Sequence, residues 1–247
     1  NSEAKIIEHH LSSSGESLSV PVLDVHVGQN SRLKHRVVQD LGQKTWQVSK
    51  QNFRLEKDSY VEIFAAAFGG DYARNEIRCE LKGRGSEAYL SAAYFGKKEQ
   101  TLDFRTFQKH EAPNTTSKLL FKGALDGDSR SIYSGLIKVL PEAVGTKAQQ
   151  TNRNIKLSEN AWAESVPNLE IETNDVVCNH ASTVSGIDEE QLFYLESKGI
   201  ETSVAERLII AGFFDEVTAK VDDPLLVEEI DSIMTEILEN RFKGQGE

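Results

Sequence analysis

From Ala4 to about Val184 the chain reads as one strand after another, with no amphipathic helix of useful length between them. Apolar and polar residues alternate over residues 20–27, 46–48, 76–81, 87–95, 101–107, 118–121, 131–139 and 169–171. Gly69-Gly70, Gly83-Arg84-Gly85 and Asp126-Gly127-Asp128 punctuate these runs at short intervals. A strand-only pattern of this length leaves a sandwich, a barrel or a parallel solenoid. Strand composition by itself favours the sandwich, the commoner of the three. No strict short repeat is present, so a solenoid on this sequence has irregular turns.

The period then changes. Asp188 with Gln191 resembles a capping box, opening a helix through Leu192, Phe193 and Leu195 to a stop at Gly199. Ser203 with Glu206 repeats the device ahead of Val204, Leu208, Ile209, Phe213 and Val217. Asp223-Pro224 supplies an N-cap followed by proline at the first helical position. A third helix follows, with Leu226, Ile230, Ile233, Ile237 and Leu238 spaced by three and four, and Gly244-Gln245-Gly246 ends it. The expected division is an all-β core over residues 1–186 and a three-helix domain over 187–247. Charge divides at the same place. Residues 1–186 hold 23 acidic and 23 basic residues, and residues 187–247 hold 16 and 5, so the tail carries the whole net charge of −11. Nucleic acid is disfavoured as a partner, because it requires a basic footprint. An acidic helical tail suits a basic partner surface, or is simply a solvated face.

At 247 residues the chain is long enough to bury a sizeable core. Its hydrophobic content of 38% and mean hydropathy of −0.43 are typical of a soluble protein. The longest apolar run, residues 63–68, is far too short to span a membrane. No basic start with an apolar stretch marks a signal peptide. The sequence begins Asn1-Ser2-Glu3, without Met and almost directly in strand-like sequence, as expected of a fragment that has lost an N-terminal part. Its two cysteines, Cys79 and Cys178, lie far apart, which suits a reducing compartment better than a disulfide framework.

Chemistry concentrates in one place. Leu169, Ile171, Val176, Cys178 and His180 fall on strand-like spacing. In a strand, residues i and i+2 share a face, so Cys178 and His180 present a thiol and an imidazole side by side. A metal centre of that softness normally takes four ligands, so the pair suggests half a site completed by another chain. The plainer alternative is a buried small hydrophobe beside a satisfied histidine. Cys79 alternates with Ile77 and Leu81 and is expected in the core. His110 opens the loop HEAPNTTS and is expected to support the central strands. His9 and His10 point to opposite faces of a strand and carry no assignment, and His26 and His35 are expected to be solvated or hydrogen-bonded. Gly83-Arg84-Gly85 lacks the spacing that cradles phosphates, and no nucleophile elbow is present. Glu170 and Glu172 share a strand face, which fits a glycosidase groove or, more simply, a solvated outer surface. In the tail, Phe193, Tyr194, Phe213 and Phe214 either pack or dock.

The order of several segments resembles the SufB/SufD family of iron–sulfur cluster assembly proteins. These are His110-Glu-Ala-Pro-Asn-Thr-Thr-Ser117, Ser129-Arg130, Tyr133-Ser-Gly-Leu-Ile-Lys-Val139 and Thr146 to Asn152 with its Gln150-Thr-Asn152. Leu157-Ser-Glu-Asn-Ala161, Pro167-Asn-Leu-Glu-Ile171 and Asp175-Val-Val-Cys-Asn-His180 follow. Asp188, Gln191-Leu-Phe-Tyr-Leu195, Lys198-Gly-Ile200 and Gly212-Phe213 complete the series. Cys178 points to the SufD branch, since the resembling B-type proteins carry Glu there. Ala181-Ser182 replaces the usual Gly-Ala, Ser185 intrudes before Gly186, and Lys198 stands where Arg is common. The family's N-terminal helical region is missing.

The resemblance implies a right-handed parallel β-helix, in place of the sandwich, followed by a C-terminal helical domain that docks an ABC-type ATPase, SufC. It implies a non-catalytic scaffold in a SufB–SufC–SufD complex, serving de novo cluster formation and iron acquisition, with ATP hydrolysed by the partner. A transient iron–sulfur cluster would form at the SufB interface with Cys178 and His180, and none would be bound to the isolated chain. Phe193, Tyr194, Phe213 and Phe214 become the ATPase-docking candidates. A homodimer is an alternative for the isolated chain. The implied location is the cytoplasm, or the plastid stroma in a plant or alga. The competing reading is a carbohydrate-active or glycan-binding β-helix protein.

Overall fold

The structure, a computed structural model, describes residues 1–243, so the expected helix stop at Gly244-Gln245-Gly246 lies outside the described residues. Two sheets are visited alternately. One holds β1 (Glu3–Leu11), β4 (Arg32–Asp40), β6 (Tyr60–Ala67), β8 (Glu87–Gly96), β10 (Thr116–Leu125), β12 (Thr146–Lys156) and β14 (Val176–Ser185), in that order. The facing sheet runs β13 (Trp162–Ile171), β11 (Arg130–Val139), β9 (Thr101–His110), β7 (Tyr72–Leu81), β5 (Thr45–Leu55) and β2 (Ser17–Ser19), with β3 (Val22–Val27) also on β5. We call them the first and second sheets. The pairings are parallel, each strand lying beside the one a full turn later. This is a parallel β-solenoid, as the resemblance implies, and not the sandwich that composition favoured. The step between partners varies, from 26 residues between Trp46 and Tyr72 to 32 between Arg130 and Trp162, which explains the missing repeat.

Alternation sets the interior. Inward-facing Phe53, Leu55, Val61, Ile63, Leu81, Leu90, Leu102 and Phe121 are buried between the sheets. An aromatic stack crosses the middle turns: Tyr94 on Phe104 at 4.7 Å, Phe104 on Phe121 at 5.5 Å and Phe121 on Tyr133 at 5.7 Å between centroids. Cys79 is wholly buried among them, and burial pushes its thiol up to about 12.

Three helices follow: α1 (Glu189–Ser197), α2 (Thr202–Thr218) and α3 (Pro224–Lys243). Asp188 caps α1, accepting from the Glu190 and Gln191 amides, and Gly199 ends it in the left-handed region at φ 84°. Asp223 accepts from the Leu226 amide at the start of α3. The device expected at Ser203 is absent. The cap position of α2 is Glu201, which makes no side-chain cap bond, while Ser203 lies inside the helix and donates to the Glu201 carboxylate.

Both α2 and α3 cover the outer face of the first sheet. Ile210, Phe214, Val217, Leu226, Ile230, Met234 and Leu238 share a core with the outward-facing Val38, Phe64, Ala66, Phe68, Ala93, Phe95 and Ala124. A strand buried on both faces loses its alternation. That accounts for the apolar run at residues 63–68, where Ile63 and Ala65 face inward and Phe64, Ala66 and Phe68 meet the helices. Ion pairs fasten the seam. Lys122, buried in the sheet, pairs with Glu216 at 2.5 Å and donates to the Phe213 carbonyl at 2.7 Å. Arg36, also buried, pairs with Glu62 and with Asp222 at 3.2 Å, while Lys34 meets Asp222 at 2.5 Å and Lys5 meets Asp223 at 2.7 Å. Hydrogen bonding from Lys34, with Arg36 beside it, pulls the Asp222 carboxyl down to about 2.

Candidate functional site at the open end of the solenoid

The last turn consists of β13 and β14, each paired on one side only, to β11 and β12. Among the described residues nothing pairs with their outer edges, where strands present unpaired amides and carbonyls in a row. Trp162, Val166, Ile171, Val177 and Val184 are exposed on these two strands. The run read as one alternating segment is in fact two strands. Leu169 and Ile171 belong to β13 in the second sheet, and Val176, Cys178 and His180 to β14 in the first.

Register fixes where the candidate ligands point. Cys178 lies beside Ala148, and His180 beside Gln150. Ala148 and Gln150 are buried and inward-facing, and parallel partners share a face, so Cys178 and His180 project to the interior side at the uncovered end. Cys178 is half-buried and packs with Leu169 and Val176 against Ile137, Val139 and Ala148, whereas His180 is exposed. The two are roughly 7 Å apart along the strand. Burial raises the Cys178 thiol above its ordinary range, partly offset by a backbone hydrogen bond from Ala148. Binding a metal there requires displacing the thiol proton. No group of three or more His, Cys, Asp and Glu residues is placed to hold a metal among the described residues. The chain therefore brings two donors to this edge and no complete set.

The remaining candidates lie elsewhere. His110 is buried at the end of β9, with its nitrogens bonded to Thr115 Oγ1 at 2.7 Å and Ser117 Oγ at 2.9 Å, and burial drives it down to about 4. It ties β9 to β10 across the intervening turn, the supporting role expected from the sequence. His26 bonds Glu56 and His35 bonds Glu8, while His9 faces Glu229 and His10 faces Gln47. Glu170 and Glu172 lie on the outer surface and share Lys138 at 3.0 and 3.4 Å.

The tail aromatics separate into two kinds. Phe214 is buried against the first sheet and offers no surface to a partner. Phe213 is half-buried, edge-on to Phe214 and under the Lys122 ammonium at 4.6 Å. Phe193 and Tyr194 are exposed on α1, which buries none of its residues. Beside them a groove of about 940 Å³ runs between α1, α2 and the ends of β12 and β14, lined by Arg153, Thr183, Gln191, Tyr194, Leu208 and Phe213. No helix among the described residues is long and apolar enough to cross a membrane.

Comparison with known proteins gives a consistent picture. The family model described as SUF system FeS cluster assembly, SufBD core domain, matches residues 1–213. An iron–sulfur cluster assembly SufBD family protein of Mycobacterium tuberculosis is 36% identical over 221 residues, covering 86% of this chain and 56% of its own length. The iron–sulfur cluster assembly protein SufD of Escherichia coli is 29% identical over 229 residues, 92% of this chain and 54% of that protein. Protein ABCI7, chloroplastic, of Arabidopsis thaliana is 30% identical over 201 residues, 81% and 42% of the two chains. The chain spans about half the length of these curated relatives.

Proposed function

Since this chain belongs to the SufB/SufD family of iron–sulfur cluster assembly proteins, on its SufD side, we propose that it acts as the scaffold half of a two-chain assembly site. A B-type SufB subunit adds its own last turn to the open edges of β13 and β14. Cys178 and His180 then face the junction, and the partner supplies the remaining donors for iron and sulfide, which arrive as substrates and leave as a cluster. The observation that carries this reading is the pairing of an uncovered strand edge with two donors, too few for a complete site, aimed into the end of the solenoid. The donor types suit such a junction, since thiolate is the ordinary cluster ligand and imidazole an accepted minority one.

Docking of an ABC-type ATPase, SufC, falls to α1 and the groove beside it. Exposed Phe193 and Tyr194 supply apolar anchors, and the acidic tail suits a basic partner. ATP hydrolysis belongs to that partner, whose movement reaches the junction through α2, α3 and the sheet they share. The reading fits a reducing compartment, cytoplasm or plastid stroma, and both cysteines are free.

Replacing His180 by Ala in the assembled complex tests the site. The expected outcome is loss of cluster formation with the complex still intact. Undiminished cluster formation overturns the reading.

A further inference from the structure

One inward-facing column of the first sheet runs through its seven strands: Ile6, His35, Ile63, Leu90, Leu119, Gln150 and His180, each beside the next. Its middle is apolar. Next to the near end, beside Ile6, the buried His35 bonds Glu8 through Nε2 at 3.1 Å. At the far end stands Gln150, fully buried, and among the described residues neither end of its carboxamide has a hydrogen-bond partner. Buried amides are nearly always satisfied, and one left alone carries the full penalty of desolvation. The fold makes room for this one. A Cβ added to Gly135 on the facing sheet would stand 2.4 Å from Gln150 Nε2 and 2.5 Å from Tyr133 Oη. An amide thus replaces the apolar residue of the column at the one buried position directly beneath His180. Gln108 is also unpartnered, but it lies two strands from the open end, beneath Ile137 and Leu169.

We propose that Gln150 is a positioning residue for His180. Its carboxamide oxygen accepts a hydrogen bond from the imidazole N–H that faces away from the metal once the end of the solenoid is covered. A histidine that ligates a metal ordinarily donates its second ring nitrogen to a carbonyl or carboxylate, which fixes both tautomer and ring orientation. One strand spacing, about 4.8 Å between the backbones, puts the ring within reach of the amide. This inference rests on the reading of Cys178 and His180 as ligands given above.

The test uses this chain assembled with its B-type partner and Zn²⁺ as a diamagnetic probe. Affinity is measured for the wild type, His180→Ala, Gln150→Leu and Gln150→Glu. The expected result is a loss of about 10- to 100-fold in Gln150→Leu, with recovery in Gln150→Glu, whose carboxylate keeps the acceptor. Affinity that depends on His180 yet is unchanged in Gln150→Leu overturns the inference and leaves the site reading standing. Affinity unchanged by His180→Ala overturns both. Independently of any variant's folding, ¹⁵N-histidine labelling of the wild-type chain reports the His180 N–H directly. A resolved, slowly exchanging proton on the non-ligating nitrogen supports the proposal, and free exchange with solvent overturns it.

Discussion

His110 shows how a single side chain holds two turns of the solenoid together, and what that demands of it. Both its nitrogens are bonded to hydroxyls, and Thr115 passes the contact on to Thr146 at 3.0 Å in the next turn. Burial keeps the ring neutral, lowering it from an ordinary value of about 6.5 to about 4. As pH falls, the unfolded chain therefore binds the proton first. The stability conferred is complete above about pH 6.5 and is lost progressively toward pH 4, a difference of about 3 kcal/mol. His35 is shifted in the same direction, so some acid sensitivity persists when His110 is replaced. Chemical denaturation of His110→Gln at neutral and mildly acid pH should show a flatter dependence than the wild type. Equal losses in the two proteins would mean that His110 is not held neutral by the fold. The structural role of this residue was legible in its sequence setting, between a strand and a run of hydroxyls. The isolation of Gln150 was not, because only the register between β12 and β14 reveals what lies above it.

Among the elements, the strands were readable from alternation, and the turns only partly. One corner of the solenoid stacks Asn30, Asp58, Gly85, Asn114 and Gly145, all with φ between 52° and 72°. Asn, Asp and Gly are the residues that enter the left-handed region most readily, so this column is the hidden repeat. It escapes a search for a fixed period because the spacing drifts from turn to turn. The apolar run at residues 63–68 was equally informative: it marks a strand covered on both faces, and so signals that helices return to the sheet. Helix periodicity located α1, α2 and α3 but could not say which aromatic faces which way. Phe214 and Phe193 now make a contrasting pair. Phe214→Ala empties a site between α2 and the first sheet and should cost about 3–5 kcal/mol. Phe193→Ala, on an exposed turn of α1, should leave the melting curve unchanged while weakening binding of the ATPase in calorimetric titration. An unaltered ATPase affinity in Phe193→Ala together with Tyr194→Ala would remove α1 from the docking surface.

On the scale of the whole molecule, a solenoid has two ends, and this one treats them differently. The strands of both end turns are paired on one side only and expose apolar residues, but the first turn is tied to the helices through Lys5 and Asp223. What sets the last turn apart is a cysteine and a histidine on the inward face of its end strand. The parallel solenoid itself was not derivable from composition, since a sandwich and a solenoid draw on the same alternation; it was the order of the family's segments that distinguished them. Nor does the sequence alone show that α2 and α3 share a core with the first sheet, the contact that the proposed function uses as a route to the junction. The central claim is that His180 ligates iron at an interface shared with a B-type subunit. It is tested most directly by pulsed electron paramagnetic resonance of the reduced cluster in the assembled complex, with ¹⁵N-histidine in this chain only. The account predicts a ¹⁵N hyperfine coupling that is present when this chain is labelled and absent when it is not. A cluster that forms with identical spectra in labelled and unlabelled complexes would contradict it.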